Sequence, residues 1–220
     1  MTLPHVPIPE DTPVVAIVKE FHSAGWEVLT LARTPFSKVC PWAEGIVKHI
    51  EVDLSQETSV MQACDTLRER LGGHGLSALV NNAGISPKDN EGERLSAMKT
   101  SIAAWQAVQM VNLTGPLMLC QQLLDPLTQA KGAVVNVTSI AGTQLPPFAE
   151  SGVRVNAVSP GEIATSILSP GTDELVERLV PMKRLGSPKE VAEVVTFLCS
   201  QKSSYINGAE LPINGGQHLL

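Results

Sequence analysis

Two amides and two small residues close the short apolar run at residues 79–84, which reads LVNNAG. Small residues directly after a buried strand let the flat ring of a cofactor come close to the backbone, and a buried amide side chain can tie neighbouring strands together. The same four residues also suit an ordinary turn that ends a strand. Asn82, Ala83 and Gly84 therefore predict a binding site only in combination with other residues.

Other polar or small residues occupy comparable places after apolar runs. Asp53 and Leu54 follow the run at 47–52, Ser139 follows the run at 133–137, and Pro160 with Gly161 follows the run at 154–158. Asn112 is different, because it lies inside a long stretch of helical spacing. An asparagine there is disfavoured by helix propensity, so we expect its side chain to have a buried partner.

A sheet is needed to bring these residues together. Short β-branched runs occur at 27–31, 47–52, 78–80, 133–137, 154–158 and 210–213, and stretches of helical spacing occur at 58–71, 102–127 and 188–199. Strands that alternate with helices predict a parallel sheet covered on both faces. Ser187 as N-cap and Pro188 at the first helical position mark the start of the last helix. We predict a single α/β domain, residues 1–220, with a Rossmann-type doubly wound parallel sheet.

The ordered set of blocks resembles the short-chain dehydrogenase/reductase family along nearly the whole chain, from about Ala16 onward. The blocks are Asp53-Leu54, NNAG at 81–84, VNLTGP at 111–116, VTSIAG at 137–142, Pro160-Gly161, GSPKEVA at 186–192 and Gly215-Gly216. No block is decisive alone, and the resemblance rests on their order and spacing.

The resemblance implies a role for each matching residue. Asp53 would accept a hydrogen bond from the adenine amino group of a nicotinamide dinucleotide, with the Leu54 amide beside it. Asn82, Ala83 and Gly84 would run along the cofactor ribose. The nicotinamide and phosphates would be held by a loop whose matching residues are Pro160, Gly161, Ile163 and Thr165.

Two matching residues would serve the reaction itself. Ser139 matches the serine whose hydroxyl polarises the substrate carbonyl, and Asn112 matches the asparagine that holds a water in the proton relay. A strand-end serine can otherwise be a simple cap. Substrate contacts would come from residues 143–148 and 167–182, the latter resembling a mobile lid.

The end of the second strand bears on cofactor choice. An acid there binds the ribose 2′-hydroxyl and favours NAD, whereas a nearby arginine accommodates a 2′-phosphate. Here Ala32 stands at the position that is often acidic and Arg33 follows. We therefore expect a preference for NADP(H), with NAD possible and with a solvated surface role as the alternative for Arg33.

Two windows of the family pattern are absent. The family begins with a strand and a Thr-Gly-x-x-x-Gly-x-Gly loop, but this chain reads PVVAIVKEFHSAGW, with a three-residue strand at most before a helix near Ala16. The family also has Tyr-x-x-x-Lys roughly 13 residues after its serine. The only tyrosine here is Tyr205, and no lysine occurs between Lys131 and Lys183.

The length of the crossover that parallel strands need also indicates that residues are missing from this chain. A parallel pair of strands needs a crossover of a dozen or more residues, usually helical, and the segment between the runs at 133–137 and 154–158 has no helical period. We expect internal segments to be missing from the 220 residues near Val15–Ala16 and Glu150–Ser151, with Cα separations there far above the ~3.8 Å of a trans peptide. A real internal deletion is the alternative.

We therefore expect an oxidoreductase that interconverts a carbonyl and a secondary alcohol, inactive if the 220 residues are the complete chain. The alternative is a non-catalytic member that acts as an oligomer subunit or dinucleotide sensor. The resemblance also implies a homodimer or homotetramer and a small-molecule substrate.

Composition limits the other classes of function. A net charge of −6 argues against contact with nucleic acid or an anionic membrane, and no apolar stretch nears the ~20 residues of a membrane span. The histidines and cysteines lack metal-ligand spacing, so no metal is expected. The four cysteines are expected to be buried or half-buried free thiols of a reducing compartment, and together with an N-terminus unlike a signal peptide they predict a cytoplasmic protein.

Overall fold

The computed structural model describes residues 13–33, 49–86, 88–89, 95, 99–138, 151–165, 168 and 171–219. The first half contains α1 (Pro13–Ser23), β1 (Thr30–Ala32), β2 (His49–Glu51), α2 (Glu57–Leu71), β3 (Ala78–Asn81), α3 (Ile102–Gln109), a π-helical turn (Met110–Thr114), α4 (Gly115–Gln122) and α5 (Leu124–Ala130). The second half contains β4 (Ala133–Val137), β5 (Arg154–Pro160), α6 (Thr172–Leu179), α7 (Pro188–Cys199) and β6 (Glu210–Ile213).

All paired strands run parallel. β1 pairs with β2, and β3, β4, β5 and β6 form a four-stranded sheet in that order. The expected neighbours β4 and β5 pair from Ala133 opposite Arg154 to Val137 opposite Val158. The predicted doubly wound parallel sheet is confirmed.

Helices cover both faces of the sheet because its apolar side chains alternate. Val134 packs into one core with α2, α4 and α5, whereas Ala133 and Val135 pack into a second core with α1 and α7. Neighbouring strands repeat this pattern, with Leu79 in the first core and Val80 in the second. Polar side chains that need open space are therefore left to the strand ends.

The sheet is divided between β1 and β3, since no strand among the described residues pairs with both. In the common doubly wound order 3-2-1-4-5-6, the first strand lies between the second and the fourth. Helix α1 already precedes β1, as a first crossover helix would, so β1, β2 and β3 take the second, third and fourth places. The first place is not filled by any strand of the described residues.

The start of α1 corrects one expectation. A short strand before Ala16 and a wide gap between Val15 and Ala16 were predicted, but both residues lie within one continuous helix. The physical reason is the spacing of apolar residues, because Ile17 and Phe21 stand four apart and face one core. The second predicted gap lies outside the described residues, since Glu150 is not among them.

A single arginine anchors the end of α7 to β5. The Nη1 atom of Arg154 donates to the carbonyl oxygen of Leu198 at 2.8 Å and to Oγ of Ser203 at 3.0 Å, and Nη2 donates to the carbonyl oxygen of Ser200 at 3.2 Å. The last carbonyl groups of a helix have no partner inside the helix, so this planar fork satisfies them.

We predict that Arg154→Lys lowers the free energy of unfolding by about 1–3 kcal/mol, because one ammonium group cannot reach both ends of this carbonyl set. Urea unfolding followed by circular dichroism measures the change. Arg178→Lys, an exposed position on α6, is the matched control and should leave the midpoint in place. An unchanged midpoint for Arg154→Lys would contradict the anchoring role.

Candidate functional site

Most of the residues singled out from the sequence lie at one edge of the structure. Asp53 follows β2, Asn82 follows β3, and Pro160 ends β5. Because β3, β4 and β5 are parallel neighbours, the carboxyl ends of β3 and β5 share an edge, which is where open α/β sheets bind ligands. The turn after β2 is brought to this region by Leu54, which lies beside Gly115 at the end of the π-helical turn. The turn after β2, the segment after β3 and the loop after β5 therefore border one region.

Asp53 uses one carboxylate oxygen to shape the turn into α2. Its Oδ1 accepts hydrogen bonds from the Ser55 backbone N–H at 2.9 Å and the Ser55 hydroxyl at 2.7 Å. The Asp53 N–H donates to Oγ of Ser59 at 3.0 Å. The second carboxylate oxygen makes no hydrogen bond with the described part of the chain, so it remains available to a ligand.

Asn112 connects the π-helical turn to the segment after β3. Its Oδ1 accepts from the Ile85 N–H at 2.9 Å, and its Nδ2 donates to the Ile85 carbonyl oxygen at 3.0 Å. The partner of Asn112 is thus the Ile85 backbone, and it is not the buried partner that was expected, because Asn112 and both hydrogen bonds are exposed. The amide holds residues 82–85 against the helix, and π-helical turns are frequent at functional sites.

Small residues keep the region next to Asn112 open. A Cβ atom added at Gly84 would meet only Oδ1 of Asn112, at 3.7 Å. Leu54 lies on the other side of the π-helical turn, where a Cβ added at Gly115 would come within 3.4 Å of the Leu54 Cβ. Leu54, Gly84 and Asn112 are therefore brought to one helix end by the fold.

A pair of asparagines below this segment was not singled out as functional from the sequence. Nδ2 of Asn81 donates to Oδ1 of Asn136 at 2.9 Å across the β3–β4 ladder. Asn81 directly follows the apolar run at 78–80 and Asn136 lies inside the run at 133–137, but only strand register shows that the two asparagines face each other. Oδ1 of Asn81 is buried and has no partner among the described residues.

Arg33 leaves the same edge of the sheet beside Asp53. The Val52 N–H donates to the Ala32 carbonyl oxygen at 3.1 Å, which sets the two strand ends side by side. Arg33 is exposed, and within the described ranges it forms no ion pair.

The loop after β5 is fixed from two directions. The Gly161 N–H donates to the Ile213 carbonyl oxygen, and a Cβ added at Gly161 would lie 2.6 Å from the Cβ of Asn214, so only glycine fits. Ile163 is buried and forms a parallel bridge with Gly186. Oγ1 of Thr165 donates to the Ile163 carbonyl oxygen at 3.3 Å.

The described structure does not include every part of the predicted reaction machinery. Ser139 lies outside the described residues, as do residues 143–148. Tyr205 is fully exposed and precedes β6, which places it at the amino-terminal edge of the sheet, opposite the candidate site. The expected lid region contains helix α6, with Val176 buried.

Thiol chemistry has no support at the site. Burial raises the pKa of Cys120 to about 11 and that of Cys199 to about 12, and it also raises the pKa of Cys64. All three are buried free thiols, as predicted, and Cys40 lies outside the described residues.

Across the described residues no group of three His, Cys, Asp or Glu side chains could hold a metal ion. None of the helices described there has the length and apolar character needed to cross a membrane.

Removing the Asn112 amide should release the segment after β3. We predict that Asn112→Ala increases the hydrogen-exchange rate of the Ile85 amide by about tenfold, because its acceptor is lost. Exchange measured by NMR tests this, with Gln109→Ala, an exposed residue of α3, as the control. Equal protection of Ile85 in both variants would show that the amide does not hold the segment.

Two family models together match nearly the whole chain. The model for short chain dehydrogenase matches residues 15–149, and the model for enoyl-(acyl carrier protein) reductase matches residues 146–218.

Curated relatives show the same similarity. Protein FixR of Bradyrhizobium diazoefficiens is 44% identical over 228 residues, which cover 93% of this chain and 82% of that protein. The 3-oxoacyl-[acyl-carrier-protein] reductase FabG of Aquifex aeolicus is 32% identical over 234 residues, 91% of each. Both aligned stretches exceed the 220 residues of this chain, so both relatives carry internal residues that have no counterpart here.

A solved structure is similar in sequence and in fold. It is an oxidoreductase of the short chain dehydrogenase/reductase family from Brucella ovis in complex with a partially ordered NAD. It shares 40% identity with this chain at a TM-score of 0.75, and the match covers 90% of this chain and 93% of the other.

Proposed function

Because this chain belongs to the short-chain dehydrogenase/reductase family, we propose that it binds a nicotinamide dinucleotide and interconverts a carbonyl and a secondary alcohol of a small molecule. The observation that carries this proposal is the position of Asp53, Asn82 and Pro160 at one sheet edge. Relatives named as 3-oxoacyl-[acyl-carrier-protein] reductase and acetoacetyl-CoA reductase support the reaction class.

The residues at this edge fit most of a dinucleotide. Asp53 has a carboxylate oxygen available for the adenine amino group, and the space beside Gly84 is one that a side chain would otherwise fill. The loop of Pro160, Gly161, Ile163 and Thr165 would border the nicotinamide. The amino end of α1 points to the same edge, but no glycine-rich loop precedes it, so contacts to the pyrophosphate are the weakest part of the fit.

The chain's own residues would then orient the substrate and move a proton, while the bound dinucleotide would supply or accept the hydride. Ser139 would donate a hydrogen bond to the substrate oxygen, an interaction worth roughly 3–4 kcal/mol per donor when charge develops. Asn112 would hold a water in the proton path, and its bonds to Ile85 support this by keeping the π-helical turn in place.

The missing proton donor favours a second candidate. Tyr205 lies at the opposite edge, and no lysine occurs between Lys131 and Lys183. If the 220 residues are the whole polypeptide, the protein is inactive as a reductase and serves as an oligomer subunit or a dinucleotide sensor. If the polypeptide contains further internal residues, these would include the tyrosine and lysine.

The intact mass of the protein from its native source separates the two candidates. We predict a mass a few kDa above 23.4 kDa, with peptides that map to an insertion between Thr138 and Ser151. A mass of 23.4 kDa would instead support the non-catalytic candidate. Peptide mapping by mass spectrometry is the measurement.

Cofactor preference follows from Arg33. We propose NADP(H) over NAD(H), because an exposed guanidinium with no acidic residue at Ala32 can pair with a 2′-phosphate. The Brucella ovis relative binds NAD, so NAD remains the competing cofactor.

Arg33→Ala should weaken NADPH binding about tenfold and leave NADH binding within about twofold, because only NADPH carries the 2′-phosphate. Isothermal titration calorimetry with both dinucleotides measures this. Arg178→Ala, an exposed arginine on α6, is the control. Equal weakening of both ligands, or tighter NADH binding by the unchanged protein, would overturn the NADP(H) preference.

We also propose a cytoplasmic homodimer or homotetramer. Apolar side chains on α3 and the π-helical turn support self-association, since Ile102 is 73% exposed, Trp105 48% and Leu113 63%. The buried free thiols suit a reducing compartment.

A further inference from the structure

A row of hydrogen-bonded side chains crosses β4, β5 and β6. Oγ1 of Thr138, which follows β4, lies 3.2 Å from Oγ of Ser159 on β5, and Ser159 bonds in turn to Oε1 of Glu210 on β6. Ser159 is 2% exposed, whereas Glu210 reaches the surface. The row therefore links a buried strand end to a surface carboxylate.

The donors along this row can be assigned by counting hydrogens. A carboxylate oxygen accepts, so the Ser159 hydroxyl donates its one hydrogen to Glu210. The Thr138 hydroxyl also has a single hydrogen, which it shares in a bifurcated hydrogen bond between Oγ of Ser159 and the Val158 carbonyl oxygen at 3.1 Å. The bond from Ser159 to Glu210 has a charged acceptor, which strengthens it, and the shared Thr138 hydrogen joins this bond to the end of β4.

Two residues of this row are adjacent in sequence to parts of the proposed site. Thr138 directly precedes Ser139, and Ser159 directly precedes the loop that begins at Pro160. The Thr138 N–H also donates to the Val158 carbonyl oxygen at 2.8 Å, so the ends of β4 and β5 are joined by backbone and side chain together.

We propose that Ser159 is a positioning residue, held by Glu210 and Thr138, that fixes where the loop at Pro160 leaves the sheet relative to the end of β4 at Thr138. Replacing Ser159 should therefore affect the nicotinamide end of a bound dinucleotide, because Asp53 and Asn82 follow other strands. This inference rests on the proposed function, since it requires that a dinucleotide binds at this edge.

The test compares a whole dinucleotide with a fragment that lacks nicotinamide. We expect Ser159→Ala to weaken NADPH binding about fivefold and to leave binding of 2′-phospho-ADP-ribose within about twofold, measured by isothermal titration calorimetry. NADH and ADP-ribose form a second pair for the same comparison. A general structural defect would weaken both members of each pair.

Glu210 supplies an independent variant at an exposed position. Glu210→Ala removes the acceptor and should reproduce the selective loss, whereas Glu210→Gln keeps an acceptor oxygen and should restore most of the NADPH affinity. Ser203→Ala is the matched control, because Ser203 is 1% exposed and bonds to the Phe197 and Leu198 carbonyl oxygens away from the loop. It should leave both ligands unchanged.

Each outcome has a distinct meaning. Selective loss of NADPH affinity in Ser159→Ala and Glu210→Ala supports the positioning role. Equal loss for dinucleotide and fragment, or no loss, overturns it and leaves the proposed function intact. Failure of the unchanged protein to bind any of the four ligands overturns the proposed function and the positioning role with it.

Discussion

The backbone ladder of the parallel sheet is the constraint on which the rest of the molecule depends. Parallel neighbours require crossovers on the faces of the sheet, and here α1 and α7 cover one face while α2, α4 and α5 cover the other. Both faces are therefore closed, and polar side chains collect where strands end. This explains why Asp53, Asn82 and Pro160 share an edge although they are far apart in sequence.

The same constraint applies where the sheet is divided between β1 and β3. Parallel strands without a neighbour leave backbone donors and acceptors unpaired, which is costly in a sheet buried on both faces. β1 and β3 each have one partner among the described residues, and Oδ1 of Asn81 on β3 is buried without one. An additional parallel strand between β1 and β3 would satisfy these groups, and its carboxyl end would lead to the amino end of α1.

Elements with local chemical markers could be predicted from the sequence. Strand β4 and helix α7 have the predicted bounds, the latter because Ser187 and Glu190 form a capping box. Other elements have no such local markers in the sequence. Pro13–Val15 resembles a strand in composition but continues the apolar spacing of α1. The predicted helix at 102–127 is interrupted by a π-helical turn, which depends on the tertiary bonds of Asn112 to Ile85 and has no local signature. The row through Ser159 depends on strand register, since Glu210 lies 51 residues further along the chain.

Cofactor binding and proton donation rest on different parts of this fold. The residues proposed to contact the dinucleotide follow strands β1, β2, β3 and β5, which the hydrophobic cores hold in place regardless of any reaction. A tyrosine that donates a proton must instead come from a crossover beside β4, and Tyr205, beyond α7, cannot reach that edge because it stands at the opposite ends of the strands. Loss of a crossover segment between Thr138 and Ser151 would therefore remove the proton donor while β4 and β5 remain paired through five registered positions. Binding of a dinucleotide without turnover is the behaviour that this separation makes physically possible.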